Sequence, residues 1–297
     1  FLHKNALHFK KMEEEKEKEI KAFPSIKNPF DEINQNLPKQ KTKEFYELFW
    51  NTPDEEELEN SQNKNKENGS LRFLDSSNEN QKTSLCKNIE WNKKASLLNM
   101  IDNQGKCGSC WAFSAVQSIE AAYKLQTGKY ETFSKQQLVD CDPISNGCNG
   151  GMPHTGFDYF KKNGILTEKE YPYKDNLTVE YKKQCALSDL TKKGIKSNLK
   201  IKDYELCFQD KDCHNDEKMF EMLEKGPLAA CVDASKEFML YESGIYDKPC
   251  KEKNHAILIT GYHKSQKEGE DSYWLVKNSW GFYWGEIGFI KIKQSKD

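Results

Sequence analysis

The chain has 297 residues, with 45 Lys+Arg against 47 Asp+Glu and a formal net charge of −2 at pH 7. That length supports one large domain or two lobes with cores of their own, so no metal or disulfide framework is needed to hold a fold. Near-neutral charge with Lys and Glu interspersed gives no field for nucleic acid, and no apolar run reaches the roughly 18 residues that a membrane span requires.

The chain opens on Phe1-Leu2-His3-Lys4, without Met or the apolar core of a signal peptide, and reads as a trimmed start. Residues 1–84 are rich in Lys, Glu, Asn and Gln, with a charged run from Lys10 to Lys21 and a stretch from Asn60 to Asn68 that contains no apolar residue. The second stretch predicts a flexible linker. Phe30, Ile33, Leu37, Phe45, Leu48, Phe49 and Trp50 are too few for a core but suffice to dock on another surface. The ten cysteines fit an oxidising route of export, and Asn68-Gly69-Ser70 and Asn176-Leu177-Thr178 are compatible glycosylation triplets. A lysosome- or vacuole-like compartment, or secretion, is expected.

From Cys86 onward Trp, Gly and Cys become frequent and apolar runs regular. Ala112, Ala115, Val116, Ile119, Ala122 and Tyr123 recur at helical spacing and predict a helix from Cys110, with Gly128 as its stop. Leu228–Val232, Ala256–Tyr262, Tyr273–Lys277 and Gly288–Ile292 are short β-branched and aromatic runs that predict strands.

Gln104-Gly105-Lys106-Cys107-Gly108-Ser109-Cys110-Trp111 carries the most chemistry. A thiol in the first turn of a helix sits at the positive end of the macrodipole, which favours the nucleophilic thiolate. The Cys110 backbone N–H and the Gln104 amide are candidate donors to a developing oxyanion. Cys107-Gly108-Ser109-Cys110 also has the form of a dithiol redox motif, and Cys141, Cys148 and His154 form a poorly spaced candidate zinc set.

The segment around Cys110 resembles the papain and cathepsin L-like cysteine peptidases, whose signature joins such a Cys to a distant His and Asn. Gln136 to Cys141, Gly147-Cys148-Asn149-Gly150-Gly151, Tyr171-Pro172-Tyr173 and Trp284-Gly285-Glu286 follow in the family's order. The resemblance implies an α+β, two-lobed papain-like fold: a helical lobe over about 95–200, a β-barrel-like lobe over about 201–297, and a groove between them. It implies Cys110 as nucleophile, His255 as base, Asn278 as the group orienting it and Gln104 as oxyanion donor. Trp280 would shield the His–Asn bond.

The resemblance also implies that Gly150 and Gly151 pair with substrate backbone, and that Met152, Pro153, Cys231, Asn254 and Ala256 line an apolar second subsite. Trp284 would border the leaving-group side or pack in the core, with Trp91 and Trp274. It pairs Cys107 with Cys148 and Cys141 with Cys185, and leaves Cys207 to Cys213 or Cys86. The partner of Cys250 belongs to a family stretch of about twenty residues beyond Asp297. Leu2, Asn5 and Phe9, then Asn28 to Asp31 and Thr42 to Phe45, are similar to parts of the family's inhibitory pro-segment. A zymogen follows: residues 1–84 as intramolecular inhibitor, 85–297 as a monomeric endopeptidase acting on proteins and peptides, with no metal or cofactor. A catalytically inactive scaffold is the rival reading.

Overall fold

The computed structural model describes residues 88–92, 101–174, 177–197, 199–207, 216–265, 267 and 269–294. The leading segment and its linker, Cys86, Cys213, His3, His8, His214 and both triplet asparagines lie outside the described residues.

Helix α1 runs Cys110–Thr127 and ends at Gly128, whose N–H reaches Lys124 O. Trp111, Ala112, Ala115 and Val116 are fully buried, so its small residues form the packing face that the spacing predicts. Helix α2 (Lys135–Cys141) is capped by Ser134, whose hydroxyl accepts from Gln137 N at 2.9 Å. After a 3₁₀ turn at Gly147–Asn149, helix α3 (Pro153–Asn163) starts on a proline, where a missing N–H costs nothing. The short α4 (Leu187–Lys192) buries no residue. Trp111, Val116, Leu138, Phe160 and Ile165 make the core of this helical half.

The other half is built on a sheet. Strands β1 (Ile89–Glu90), β2 (Leu228–Val232), β3 (Ile245–Tyr246), β4 (His255–His263), β5 (Tyr273–Lys277) and β6 (Phe289–Lys293) form it, with helices α5 (Asp216–Lys225) and α6 (Lys236–Met239) between strands. The order is β1-β4-β5-β6-β3, with β2 also on β4; all pairs are antiparallel except β3 with β6. The mixed α+β architecture matches the expectation, but the β half does not close as a barrel among the described residues; the short strand β3 ends the path on β6 instead.

Strand β4 is buried from His255 to Tyr262 and reads as an apolar run, as a strand covered on both faces does. Ala256 packs into the helical core, while Ile257 and Ile259 pack with Phe238, Trp274 and Ile290. Ser114 Oγ of α1 donates to Ile257 O at 2.7 Å and fastens the helix to the strand.

The loop leading into α1 is held from the side. Disulfides join Cys107 to Cys148 and Cys141 to Cys185, and Gly108 N donates to Cys148 O at 2.8 Å. A Cβ on Gly108 would lie 2.5 Å from that same oxygen. Gly108→Ala should therefore destabilise the protein by about 1–3 kcal/mol, the cost of overpacking against backbone. Thermal unfolding of the full chain measures it, and an unchanged midpoint would show that the loop yields freely.

Candidate active site

Cys110 is the first residue of α1 and is partly exposed. The hydroxyl of its N-cap, Ser109, makes no cap bond and sits 2.7 Å from the Tyr173 hydroxyl. Burial pushes the Cys110 thiol up to about 11, against nearby backbone N–H groups, that of Ala256 foremost, which favour the ionised form. Cys110 packs against the helical core that also takes in Ala256, the residue that follows His255 on β4.

His255 opens β4 and is buried. Its Nε2 lies 2.7 Å from Asn278 Oδ1, which also accepts Ser279 N at 2.8 Å. An amide oxygen only accepts, so Nε2 carries the hydrogen and Nδ1 is the basic nitrogen of the neutral ring. Burial drives the imidazolium down to about 4, against the bond to Asn278, which favours it. The Trp280 ring covers the imidazole at 4.5 Å between centroids. Asn278 follows β5 and is anchored by its own N–H to Gly288 O at 2.9 Å.

Gln104 is fixed at both ends of its amide. Ser279 Oγ donates to Oε1 at 2.7 Å, and Nε2 donates to Cys107 O at 2.9 Å. That bond takes one of the two amide hydrogens and leaves the second for another acceptor. Gln104 N also donates to Ser279 O at 2.8 Å, and Tyr173 OH donates to Gln104 O at 2.9 Å. Tyr173 thus ties the Gln104 loop to the start of α1. The sequence placed Tyr171-Pro172-Tyr173 in family order but gave Tyr173 no role; its only local signal was that motif.

Gly150 and Gly151 lie partly exposed on the loop beside Cys148. A Cβ on Gly151 would meet Ser145 Oγ at 2.6 Å and Trp111 at 2.7 Å, so only glycine brings the backbone this close. The Gly150 carbonyl accepts Asn146 N at 2.8 Å. Met152, Pro153 and Cys231 share a cavity of about 1000 Å³. That cavity is not lined by Cys110, His255, Asn254 or Ala256. The Asn254 side chain accepts Ala234 N at 2.8 Å and lies 3.3 Å from Asp233, and Ala256 is buried in the helical core. Trp284 donates from Nε1 to Met239 O at 3.1 Å and packs with Phe238 in the sheet core.

The dithiol reading fails because Cys107 is bonded to Cys148 while Cys110 keeps a free thiol, and the zinc reading fails because Cys141 and Cys148 are both in disulfides. Cys207 is disulfide-bonded to a cysteine outside the described residues, and Cys250 is free.

A family described as "Papain family cysteine protease" matches residues 85–297. "Cysteine protease XCP2" of Arabidopsis thaliana is 38% identical over 214 residues, covering 70% of this chain and 55% of the relative. The bromelain protease of Ananas comosus, solved in complex with the E64 inhibitor, superposes with a TM-score of 0.58 at 32% identity, covering 70% of this chain and 89% of that one. The ragweed pollen cysteine protease Amb a 11, solved in its proform, superposes at 0.57 with 33% identity, covering 72% and 62%. The chain spans about half the length of the curated relatives it matches. The chain belongs to the papain family of cysteine proteases.

If Cys110 passes its proton to His255, two separately penalised charges give way to an opposite pair, which attract strongly where water is scarce. Iodoacetamide should then alkylate Cys110 at a rate that reaches its plateau by about pH 6. In His255→Ala the rate should keep climbing toward a pKa of about 11, the value burial sets for the thiol alone. Identical pH profiles for the two proteins would rule out the transfer.

Proposed function

We propose that the chain is a cysteine endopeptidase that hydrolyses peptide bonds in proteins and peptides and is made as a zymogen. The observation that carries this reading is the 2.7 Å bond between His255, at the head of a strand packed against the helix that begins at Cys110, and Asn278, just past the end of β5. In the proposed cycle the Cys110 thiolate attacks the scissile carbonyl. The Cys110 N–H and the second hydrogen of the Gln104 amide hold the oxyanion. His255, protonated by the thiol, gives its proton to the departing amine. Water, deprotonated by His255, then cleaves the thioester and restores the thiol. Asn278 keeps the imidazole in one tautomer throughout, and Trp280 keeps water from the bond between them.

Met152, Pro153 and Cys231 form an apolar wall in this reading, so a large apolar side chain fits the second subsite. Gly151 offers its backbone to an extended peptide. Residues 1–84 act as the intramolecular inhibitor, released on acidification as carboxylates that hold it become protonated. The proform of the related ragweed protease supports this by analogy. Chemistry proceeds from side chains alone, without metal or cofactor, in a monomer held in a lysosome- or vacuole-like compartment or secreted. Two disulfides on the helical half suit that setting, and no described helix is long and apolar enough to cross a membrane.

The test is hydrolysis of a fluorogenic dipeptide with a large apolar second-subsite residue, using the full chain with thiol reductant after mildly acidic incubation. Cys110→Ala should abolish turnover, and Gln104→Ala should lower kcat by about 10²–10³-fold, the loss expected for one oxyanion donor. Turnover that survives Cys110→Ala would refute the assignment.

A further inference from the structure

Beneath the site lies a buried cluster of four charges. Asp102 Oδ2 accepts from Gln117 Nε2 of α1 at 2.6 Å and from Lys277 Nζ of β5 at 3.3 Å. Lys135 Nζ of α2 lies 3.6 Å from Asp102 Oδ1 and 2.8 Å from Glu120 Oε1 of α1, and Glu120 Oε1 also accepts Phe133 N at 2.9 Å. Glu120, Lys135, Lys277 and Gln117 are each no more than 5% exposed, and the Asp102 side chain is 12% exposed. Each of these charges has an opposite neighbour, and a third, half-buried carboxylate, Glu168, also faces Lys135. Burial pushes the Glu120 carboxyl above its ordinary value despite Lys135. Burial alone would raise the Asp102 pKa, but Lys135 and Lys277 together with the Gln117 bond hold it below the ordinary carboxylate value.

The position of the cluster in the chain links it to chemistry. Asp102 is two residues before Gln104, and Lys277 immediately precedes Asn278. The two segments are zipped together: Gly281 N donates to Asp102 O at 2.9 Å, Asn103 bridges to Trp280, and Gln104 N donates to Ser279 O at 2.8 Å. Gln117 and Glu120 belong to the helix that starts at Cys110. The elements carrying the thiol, the oxyanion amide and the orienting asparagine therefore meet at one carboxylate.

We propose that Asp102 is a positioning residue for catalysis, its carboxylate holding the Gln104 segment and the Lys277-Asn278 segment in fixed register against α1. It touches no substrate and acts through Gln104 and Asn278. The inference rests on the peptidase reading, so its test needs one readout that does not depend on turnover.

Asp102→Asn keeps the side-chain size and an acceptor for Gln117 while removing the charge. In the full chain, at a temperature where the variant is folded by circular dichroism, kcat should fall about 10–100-fold while KM changes less than about threefold, as misplaced groups predict. Asp102→Asn with Lys277→Gln restores charge balance; the thermal midpoint should recover and kcat should not. Recovery of both together, or a wild-type kcat in Asp102→Asn, would show a purely structural role and overturn the proposal. If Asp102→Asn does not fold, Gln117→Met loosens the same carboxylate without orphaning a charge and should cost about three- to tenfold in kcat; no change would overturn it. Iodoacetamide alkylation is the turnover-independent readout. The Cys110 rate should fall in the folded variant even if the wild-type chain hydrolyses no peptide, and an unchanged rate there would overturn the positioning role separately from the peptidase reading.

Discussion

Helix α1 and strand β4 meet where Ser114 Oγ donates to Ile257 O, and this contact brings together residues that lie far apart in the sequence. On the helix side, the first residue is the thiol; on the strand side, the first residue is the histidine. With the helix seated, Cys110 packs with Ala256, the residue after His255, so the register of one packed element sets the surroundings of another. Small residues on α1 permit the approach, and the alternation of β4 sends Ala256 into one core and Ile257 into the other. Nothing in either element alone makes a site.

Burial acts on the site twice. It penalises an isolated thiolate and an isolated imidazolium, pushing Cys110 up and His255 down, so neither group ionises favourably alone. The same dry surroundings strengthen any attraction between the two once a proton passes between them. Asn278, under Trp280, determines which imidazole nitrogen is basic, and Ser279 in turn fixes both Asn278 Oδ1 and the Gln104 amide. In the proposed cycle, orientation of the base and orientation of the oxyanion donor therefore share one residue. Below them the buried charge cluster joins the two halves at low exposure, where breaking one partner leaves a charge without compensation.

Much of this was legible in the sequence because it depends on local spacing. The helix at Cys110 follows from small apolar residues at helical intervals, and its end from Gly128; the strands at Leu228–Val232 and Tyr273–Lys277 follow from β-branched runs. The family motif then supplied the candidate residues of the proposed site, and the pairings of Cys107 with Cys148 and Cys141 with Cys185 that the structure contains. What stayed hidden depends on contacts between distant segments. Tyr173 bridges Ser109 and Gln104 across more than sixty residues, |i−j| being 64 and 69, and nothing in its own neighbourhood announces it. Asp102, Lys135 and Lys277 look like surface charges in a chain full of them, and only the fold buries them together. The bond from Ala234 N to the Asn254 side chain likewise spans twenty residues and has no local signal. The barrel-like closure also failed to appear in the described sheet, since strand closure depends on pairings that no single run of residues encodes.

The central claim is that Cys110 forms a covalent bond to the acyl half of the substrate. The direct measurement is acid quench of the full chain during the burst with an activated peptidyl ester, followed by mass mapping of the acylated peptide. The account predicts a thioester on Cys110, absent in Cys110→Ala and slow to form in His255→Ala. Acylation at Cys231 or Cys250, or turnover with no acylated residue, would contradict it.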